Sequence, residues 1–203
     1  MIKIIEKKSF PRGIYYFRFS NNEEWEISAY TFYQFKDILK EENEITEEEY
    51  KKIKFEAEYE LAKSKAYNCI SRKNYTEKEL SDKLNQSSFE KKTIEKVIDH
   101  LKSKDYLKDE QYLKDWALTK VKARFWGPYK LKQHLKERTN DQILIESIIS
   151  STYKELNEDE LISHLLKKKN RTPPFTDNKE KSKIYRLLMQ SGFSNEAVQS
   201  ILF

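Results

Sequence analysis

The stretch Leu80-Ser-Asp-Lys-Leu84-Asn-Gln-Ser-Ser-Phe89-Glu-Lys-Lys-Thr-Ile94-Glu-Lys-Val97-Ile98 decides the fold. Its apolar residues keep helical spacing on both sides of a short polar break, the pattern of two amphipathic helices joined by a turn. The grid returns 51 residues on as Leu131, Leu135, Asn140, Ile145, Ile148 and Ile149, and 104 residues on as Ile184, Leu188, Phe193, Val198, Ile201 and Leu202. Only the Asn140 position breaks the apolar pattern. A period near 50 residues marks tandem supersecondary units, each needing a neighbour to cover its apolar face. In such an array function is expected on an extended surface before a deep pocket.

Each copy extends backwards by an entry helix, so each unit is expected to hold three. In the first copy the entry helix runs to about Arg72 and is expected to bury Leu61, Ala66 and Ile70. The second helix opens near Thr76, whose spacing to Glu79 is that of a capping box, and buries Leu80 and Leu84. The third, over roughly 90–102, turns Ile94, Val97, Ile98 and Leu101 inward. In the second copy Tyr112, Ala117 and Val121 take the entry-helix places. Gly127-Pro128 then starts a helix, because proline at the first helical position loses nothing by lacking an N–H.

The third copy opens near Asp159 and carries an insertion around Thr172-Pro-Pro-Phe175 of low helical potential. Its last helix, running to Phe203, is apolar enough to be packed. Gly192 falls where the second helix should stop, the usual place for a left-handed residue. Ser88 and Thr139 hold that place in the other copies, with Asn140 as the alternative to Thr139.

Upstream, Ile2-Lys-Ile-Ile-Glu-Lys, Gly13-Ile-Tyr-Tyr-Phe-Arg-Phe and Glu24-Trp-Glu-Ile-Ser read as short strands, with Asn21-Asn22 as a hairpin turn. So few strands must dock on a helix, and residues 30–39 offer one. Thr46-x-x-Glu49 then caps a long helix, whose first-turn Glu47, Glu48 and Glu49 suit the positive end of its dipole. The fold predicted is mainly α: a tandem array of three three-helix repeats preceded by a small N-terminal β-strand/helix extension. Its segments are 1–45, a hairpin plus helix, then repeats over 46–109, 110–157 and 158–203.

Composition agrees with helices around thin cores. Hydrophobic residues are 37% and charged residues 36% of the 203, with 3 Gly, 4 Pro and 13% aromatics. The formal charge of +5 is unevenly spread. Residues 41–60 hold nine Glu against three Lys. Residues 111–138 and 163–186 each hold eight Lys or Arg against two acids. Basic stripes of this kind suit a polyanion or an acidic protein face, or serve as a solvated helix surface. The single Cys69 excludes an internal disulfide and, in a helical apolar pattern, reads as a small core residue. No apolar run approaches the ~18 residues that span a bilayer, and charge interrupts the N-terminus too early for a signal peptide. A cytoplasmic protein is expected.

No nucleophile elbow, phosphate loop, dinucleotide fingerprint or paired metal motif is visible. His100, His134 and His164 sit in helical stretches without a second His or Cys at metal spacing. The expectation is a protein that is not an enzyme and carries no cofactor. What remains is Lys120-Val-Lys122-Ala-Arg124-Phe-Trp126-Gly-Pro-Tyr-Lys130-Leu-Lys132, leading into Lys136 and Arg138. Lys132 and Lys136, four apart, share an outer face while Leu131 and Leu135 turn inward. Such a ridge suits DNA phosphates or the carboxylates of a protein partner. Trp126 is either a core anchor at the helix junction or an exposed contact aromatic. Lys167-Lys-Lys169 with Arg171 forms a similar patch. The candidate partner-binding residues are Arg72, Lys122, Arg124, Lys130, Lys132, Lys136, Arg138, Lys168 and Arg171.

At these residues the chain resembles the RecX family of recombinase regulators. Arg72-Lys-Asn-Tyr-Thr76-Glu-Lys-Glu79-Leu80 is similar to the family's Arg-x3-Ser-x2-Glu-Leu pattern, with Thr for Ser. Asp105-Tyr106-Leu107-Lys108-Asp109-x2-Tyr112 is similar to its Gly-Tyr-Leu-Asp-Asp-x2-Phe segment, and Arg124-Phe-Trp126-Gly127-Pro128 to its second-repeat signature. Gly192-Phe193 matches the third repeat, so the resemblance covers about 57–203. The chain departs at Lys108, where an acid is usual, at Asp105 and Ser88, where Gly is usual, and at Tyr129, a commonly basic position.

The resemblance implies a monomer that binds RecA and its filament on single-stranded DNA, lodged in the filament groove or capping its ends. It would lower ATP hydrolysis and strand exchange in recombination and repair, touching single-stranded DNA through the filament or weakly alone. A helix-turn-helix-like DNA-binding regulator and a protein-interaction scaffold without nucleic-acid contact are the rival readings.

Overall fold

The computed structural model describes residues 1–11 and 13–202. The expectation for Phe203 lies outside the described residues. The chain forms two compact units, one of residues 1–75 with 80–107 and one of residues 76–79 with 108–203.

The first unit opens with strands β1 (Ile2–Phe10), β2 (Ile14–Phe19) and β3 (Glu24–Ser28), turning at Asn22 with φ of 64°. A fourth strand, β4 (Glu44–Ile45), completes an antiparallel sheet of order β3-β2-β1-β4. Alternation places Phe17, Phe19, Trp25 and Ile27 on one buried face. A bulge between Ile4 and Glu6 lets Ile4 stay in that core while Ile5 is exposed.

The helix expected over 30–39 is shorter: α1 spans only Ala29–Gln34, capped by the Ser28 hydroxyl, which accepts from Thr31 N–H. Its aromatic and β-branched residues are poor helix formers. The turns that follow carry Leu39 into the core, and Asn43 donates to Ile38 O at 2.8 Å on the way back to β4.

Helix α2 (Glu47–Ile70) starts with the expected capping box. Its first half gives Tyr50, Ile53 and Ala57 to the sheet core. Its second half gives Tyr59, Ala62 and Ala66 to a separate core with α3 (Glu77–Asn85) and α4 (Lys91–Ser103). Leu80, Leu84, Ile94, Val97, Ile98 and Leu101 are buried there as the grid predicts. The entry-helix register is corrected by one residue: Leu61 is 41% exposed and Ala62 is buried. One residue on a helix is about 100° of rotation, so Leu61 falls on the flank. Ile70 and Cys69 are half-buried at the core margin.

The second unit holds α5 (Asp109–Arg124), α6 (Pro128–Arg138), α7 (Gln142–Glu155), α8 (Glu158–Lys168), α9 (Asn178–Gln190) and α10 (Asn195–Leu202) around one core. The entry-helix shift recurs, with Leu113 buried and Tyr112 half-buried, while Ala117 and Val121 are buried as expected. The chain is thus mainly α, with three three-helix sets, α2–α4, α5–α7 and α8–α10, after the small strand region. Gly192 and Ser88 take positive φ, as expected for helix ends. Neither Thr139 nor Asn140 does: α6 ends in extended backbone at Thr139 (φ −144°, ψ 152°), which is buried and accepts Asp141 N–H at 3.2 Å. In the insertion, Phe175 is buried in the unit's core.

Candidate partner-binding surface

The basic ridge is built on the junction between α5 and α6. Helix α5 ends at Phe125 in left-handed backbone (φ 54°, ψ 50°). The chain then runs extended through Gly127, with Pro128 opening α6. Two amide groups at the start of α6 are satisfied from outside the helix: Gly127 N–H donates to Ser191 O at 2.7 Å and Tyr129 N–H to Gly192 O at 3.0 Å. Lys130 Nζ donates to Gln190 O at 3.2 Å. Carbonyls at the negative end of α9 therefore meet amides at the positive end of α6, and a lysine cation joins them, so both unsatisfied termini gain partners.

Trp126 anchors this junction. Its carbonyl accepts the Tyr153 hydroxyl at 2.6 Å, and its half-buried ring stacks on His134 with centroids 4.4 Å apart. Trp116 lies 6.1 Å away, and the Arg138 guanidinium sits over it at 4.3 Å while pairing with Glu79. Thr76, which caps α3, donates its hydroxyl to Arg138 O at 2.6 Å. The core-anchor alternative for Trp126 is the one realised.

The candidate cations occupy unlike settings. Arg72 is exposed and belongs to the first unit; the other eight belong to the second. Lys122 is exposed and pairs with Glu155 at 3.0 Å, Lys132 with Glu146 at 2.5 Å, and Arg171 with Glu180 at 3.1 Å. Lys130 and Arg138 are half-buried and engaged within the scaffold. Arg124 and Lys136 are exposed and form no ion pair among the described residues. Lys168 is exposed and lies 5.3 Å over the Phe125 ring, which brings it beside the end of α5 near Arg124.

Sequence reasoning missed Glu79 and Trp116 as holders of Arg138, and Phe125 and His164 as the floor beneath Lys168. Phe125 stacks on His164 at 5.9 Å, and both line a cavity of about 360 Å³ with Lys122 and Glu160. Glu158 has a buried, unpartnered carboxylate oxygen. Burial, aided by the Asp159 charge, holds its pKa above the usual carboxylate value. Burial, aided by the Glu158 charge, also pushes up the Tyr153 phenol. Among the described residues no cluster of His, Cys, Asp or Glu could hold a metal ion, and no helix is long and apolar enough to cross a membrane. What the surface offers chemically is fixed and free positive charge.

Family models match two parts of the chain: residues 62–101 match the first three-helix domain of RecX and residues 157–202 its third. The chain is 33% identical over 168 residues to the regulatory protein RecX of Clostridioides difficile, covering 81% of this chain and 77% of that one. It is 30% identical over 164 residues to the regulatory protein RecX of Caldanaerobacter subterraneus, covering 81% and 80%. A crystal structure of regulatory protein RecX superposes with a TM-score of 0.66 at 19% identity, over 99% of this chain and 98% of the other. That of RecX from Lactobacillus salivarius gives 0.62 at 24% identity, over 71% and 94%. These two structures share the fold.

Proposed function

The chain belongs to the RecX family of regulatory proteins, and on that ground we propose that it binds RecA and its filament on single-stranded DNA. It lowers ATP hydrolysis and strand exchange by occupying the filament, as a monomer in the cytoplasm and without chemistry of its own. The segments 1–45, 46–109, 110–157 and 158–203 are the working divisions of this reading, and the basic ridge of α5 and α6 falls in 110–157. The observation that supports the reading best is the basic surface of α5 and α6, where Arg124 and Lys136 stand exposed without ion pairs among the described residues. Charge left unpaired on a rigid scaffold is free for a partner's carboxylates or phosphates, whereas charge already paired must first be released.

Of the nine candidates, Arg124, Lys136 and Lys168 are assigned direct contact, with Lys122, Lys132 and Arg171 as supporting cations of the second unit and Arg72 as the one candidate of the first. Lys130 and Arg138 serve by holding the surface in shape. The test is a titration of the full chain into RecA on single-stranded DNA, following ATP hydrolysis and strand exchange. Inhibition should saturate near stoichiometric amounts and weaken when Lys122, Arg124, Lys132 and Lys136 are changed to Gln. Unchanged ATPase and strand exchange at saturating protein would remove the reading.

A further inference from the structure

We propose that the cavity beside Phe125 is an anchor pocket for an aromatic side chain of the recombinase, presented next to an acidic residue. The proposal rests on the reading above that the recombinase is the partner, and adds an apolar contact to its basic surface. The cavity, of about 360 Å³, lies within the second unit. Phe125, Leu156, Leu161 and His164 wall it, and Lys122, Asn157 and Glu160 supply polar groups. That volume is near the lower end for ligand cavities, about 300 Å³, and suits one or two inserted side chains better than an extended chain.

The wall is built at a cost. Phe125 ends α5 in left-handed backbone, with φ of 54°, a conformation that favours glycine. The other non-glycine residues with positive φ among the described residues, Asn22, Glu42, Ser88, Asp105 and Asn170, are all polar. A bulky side chain is strained there, and ending the helix does not call for one. What the phenyl ring adds is the cavity: it stacks on His164 at 5.9 Å and carries Lys168 Nζ 5.3 Å from its centre. Backbone strain held in this way gathers at ligand clamps.

The polar lining favours a polypeptide over a nucleic-acid strand. A peptide backbone donates through N–H and accepts through C=O, so it can use both the Glu160 carboxylate and the Lys122 and Asn157 donors. A phosphodiester has no backbone donor, and its charge would face Glu160. Lys168 over the Phe125 ring and Arg124 next to Phe125 in the chain complement an acid beside the anchor.

The experiment compares the wild type with Phe125→Gly and with His164→Ala, a milder change at an exposed residue. Each full chain is titrated into RecA on single-stranded DNA at low and at high salt, following ATP hydrolysis, with thermal melts alongside. Phe125→Gly relieves the left-handed backbone while losing half-buried ring area, so Tm should move by less than about 3 °C. Half-inhibition should need roughly tenfold more of that variant and roughly threefold more of His164→Ala. Both factors should be equal at the two salt concentrations, because the lost contact is apolar, whereas the factor for Arg124→Gln should shrink as salt rises. A second arm uses nuclear magnetic resonance of the full chain without recombinase, with N-acetyl-phenylalanyl-aspartyl amide as the probe. The probe should shift signals of Leu156, Leu161 and His164, and the alanyl-aspartyl analogue and deoxyadenosine monophosphate should bind roughly fivefold more weakly or less. Wild-type inhibition by both variants, factors that vanish at high salt, no shift by the dipeptide, or an equal shift by the nucleotide would each overturn the proposal. A wild type that leaves the ATPase untouched would instead remove the underlying reading, and this occupant with it.

Discussion

Gly127 and Gly192 meet backbone to backbone. A Cβ on Gly127 would lie 2.3 Å from the carbonyl carbon and oxygen of Gly192, and a Cβ on Gly192 would lie 2.3 Å from Lys130 N. Gly192 also needs its positive φ of 86°, whereas Gly127 sits at an ordinary −82°. Gly127 is therefore required for closeness alone. Gly127→Ala is expected to destabilise the protein by about 2–4 kcal/mol through lost amide–carbonyl bonds and forced separation. Gly13→Ala, which meets only Ala29 Cβ at 3.1 Å but has φ of 73°, should cost about 1 kcal/mol. Urea unfolding midpoints decide the order; equal costs would show that the close approach is unimportant.

Arg138 is a fixed element of the second unit. It pairs with Glu79, covers Trp116, and its carbonyl takes the Thr76 hydroxyl. Lysine lacks the planar fork and stacks poorly, so Arg138→Lys should cost about 1 kcal/mol. A double-mutant cycle with Glu79→Gln should return a coupling of similar size. Thr76→Ala should cost about 1–2 kcal/mol, because it removes a helix cap and a second hydrogen bond together. Changing the exposed Lys136 to Gln should cost less than about 0.5 kcal/mol.

The contrast between free and engaged cations separates binding from stability. Arg124→Gln with Lys136→Gln should raise the concentration needed for half-inhibition of RecA ATPase by roughly fivefold to tenfold and leave Tm unchanged. Lys130→Gln should instead lower Tm by about 1–3 °C, since its ammonium sits on the Gln190 carbonyl. The reverse pattern, with Lys130 controlling inhibition and the free pair controlling Tm, would contradict this assignment.

Glu158 gives the protein a pH dependence of known sign. Its folded-state pKa is raised by burial, so the folded chain holds that proton more tightly than the unfolded chain does. The contribution to stability is complete below the ordinary carboxylate value and is lost as pH rises through the raised one. Glu158→Gln is therefore expected to raise Tm by about 1–3 °C at pH 7.5 and to leave it unchanged at pH 4. Thermal melts at the two pH values measure the difference.

Periodicity and capping chemistry made most of the helical fold readable. The Thr46 and Thr76 caps, the six-position grid and the left-handed end at Gly192 all rest on residues within a few positions of one another. A two-residue strand such as β4 has no period to detect, and its pairing with Ile2 and Lys3 is a product of the turn after α1. The choice between Leu61 and Ala62 turns on one step of helical rotation, which packing sets and residue type does not. At the surface, lysines and arginines were readable as a stripe, but their availability was not. Glu79 lies 59 residues from Arg138, and no local pattern announces that the two pair. The same holds for Gly127, which in sequence is only the residue before a helix-opening proline.

Helix α2 has a consequence for how the first unit comes apart. One continuous rod lends its first half to the aromatic sheet core and its second half to the core of α3 and α4. Cutting the chain at residue 45 would strip the cover from Tyr50, Ile53 and Ala57 and fray the rod from its capped end. Melting of the strands and melting of the α2–α4 helices should then be one event, with amides of β2 and α4 exchanging with deuterium at a shared rate. The strand region is in that sense an anchor for the helices that follow it, and a lesion in either is felt by both.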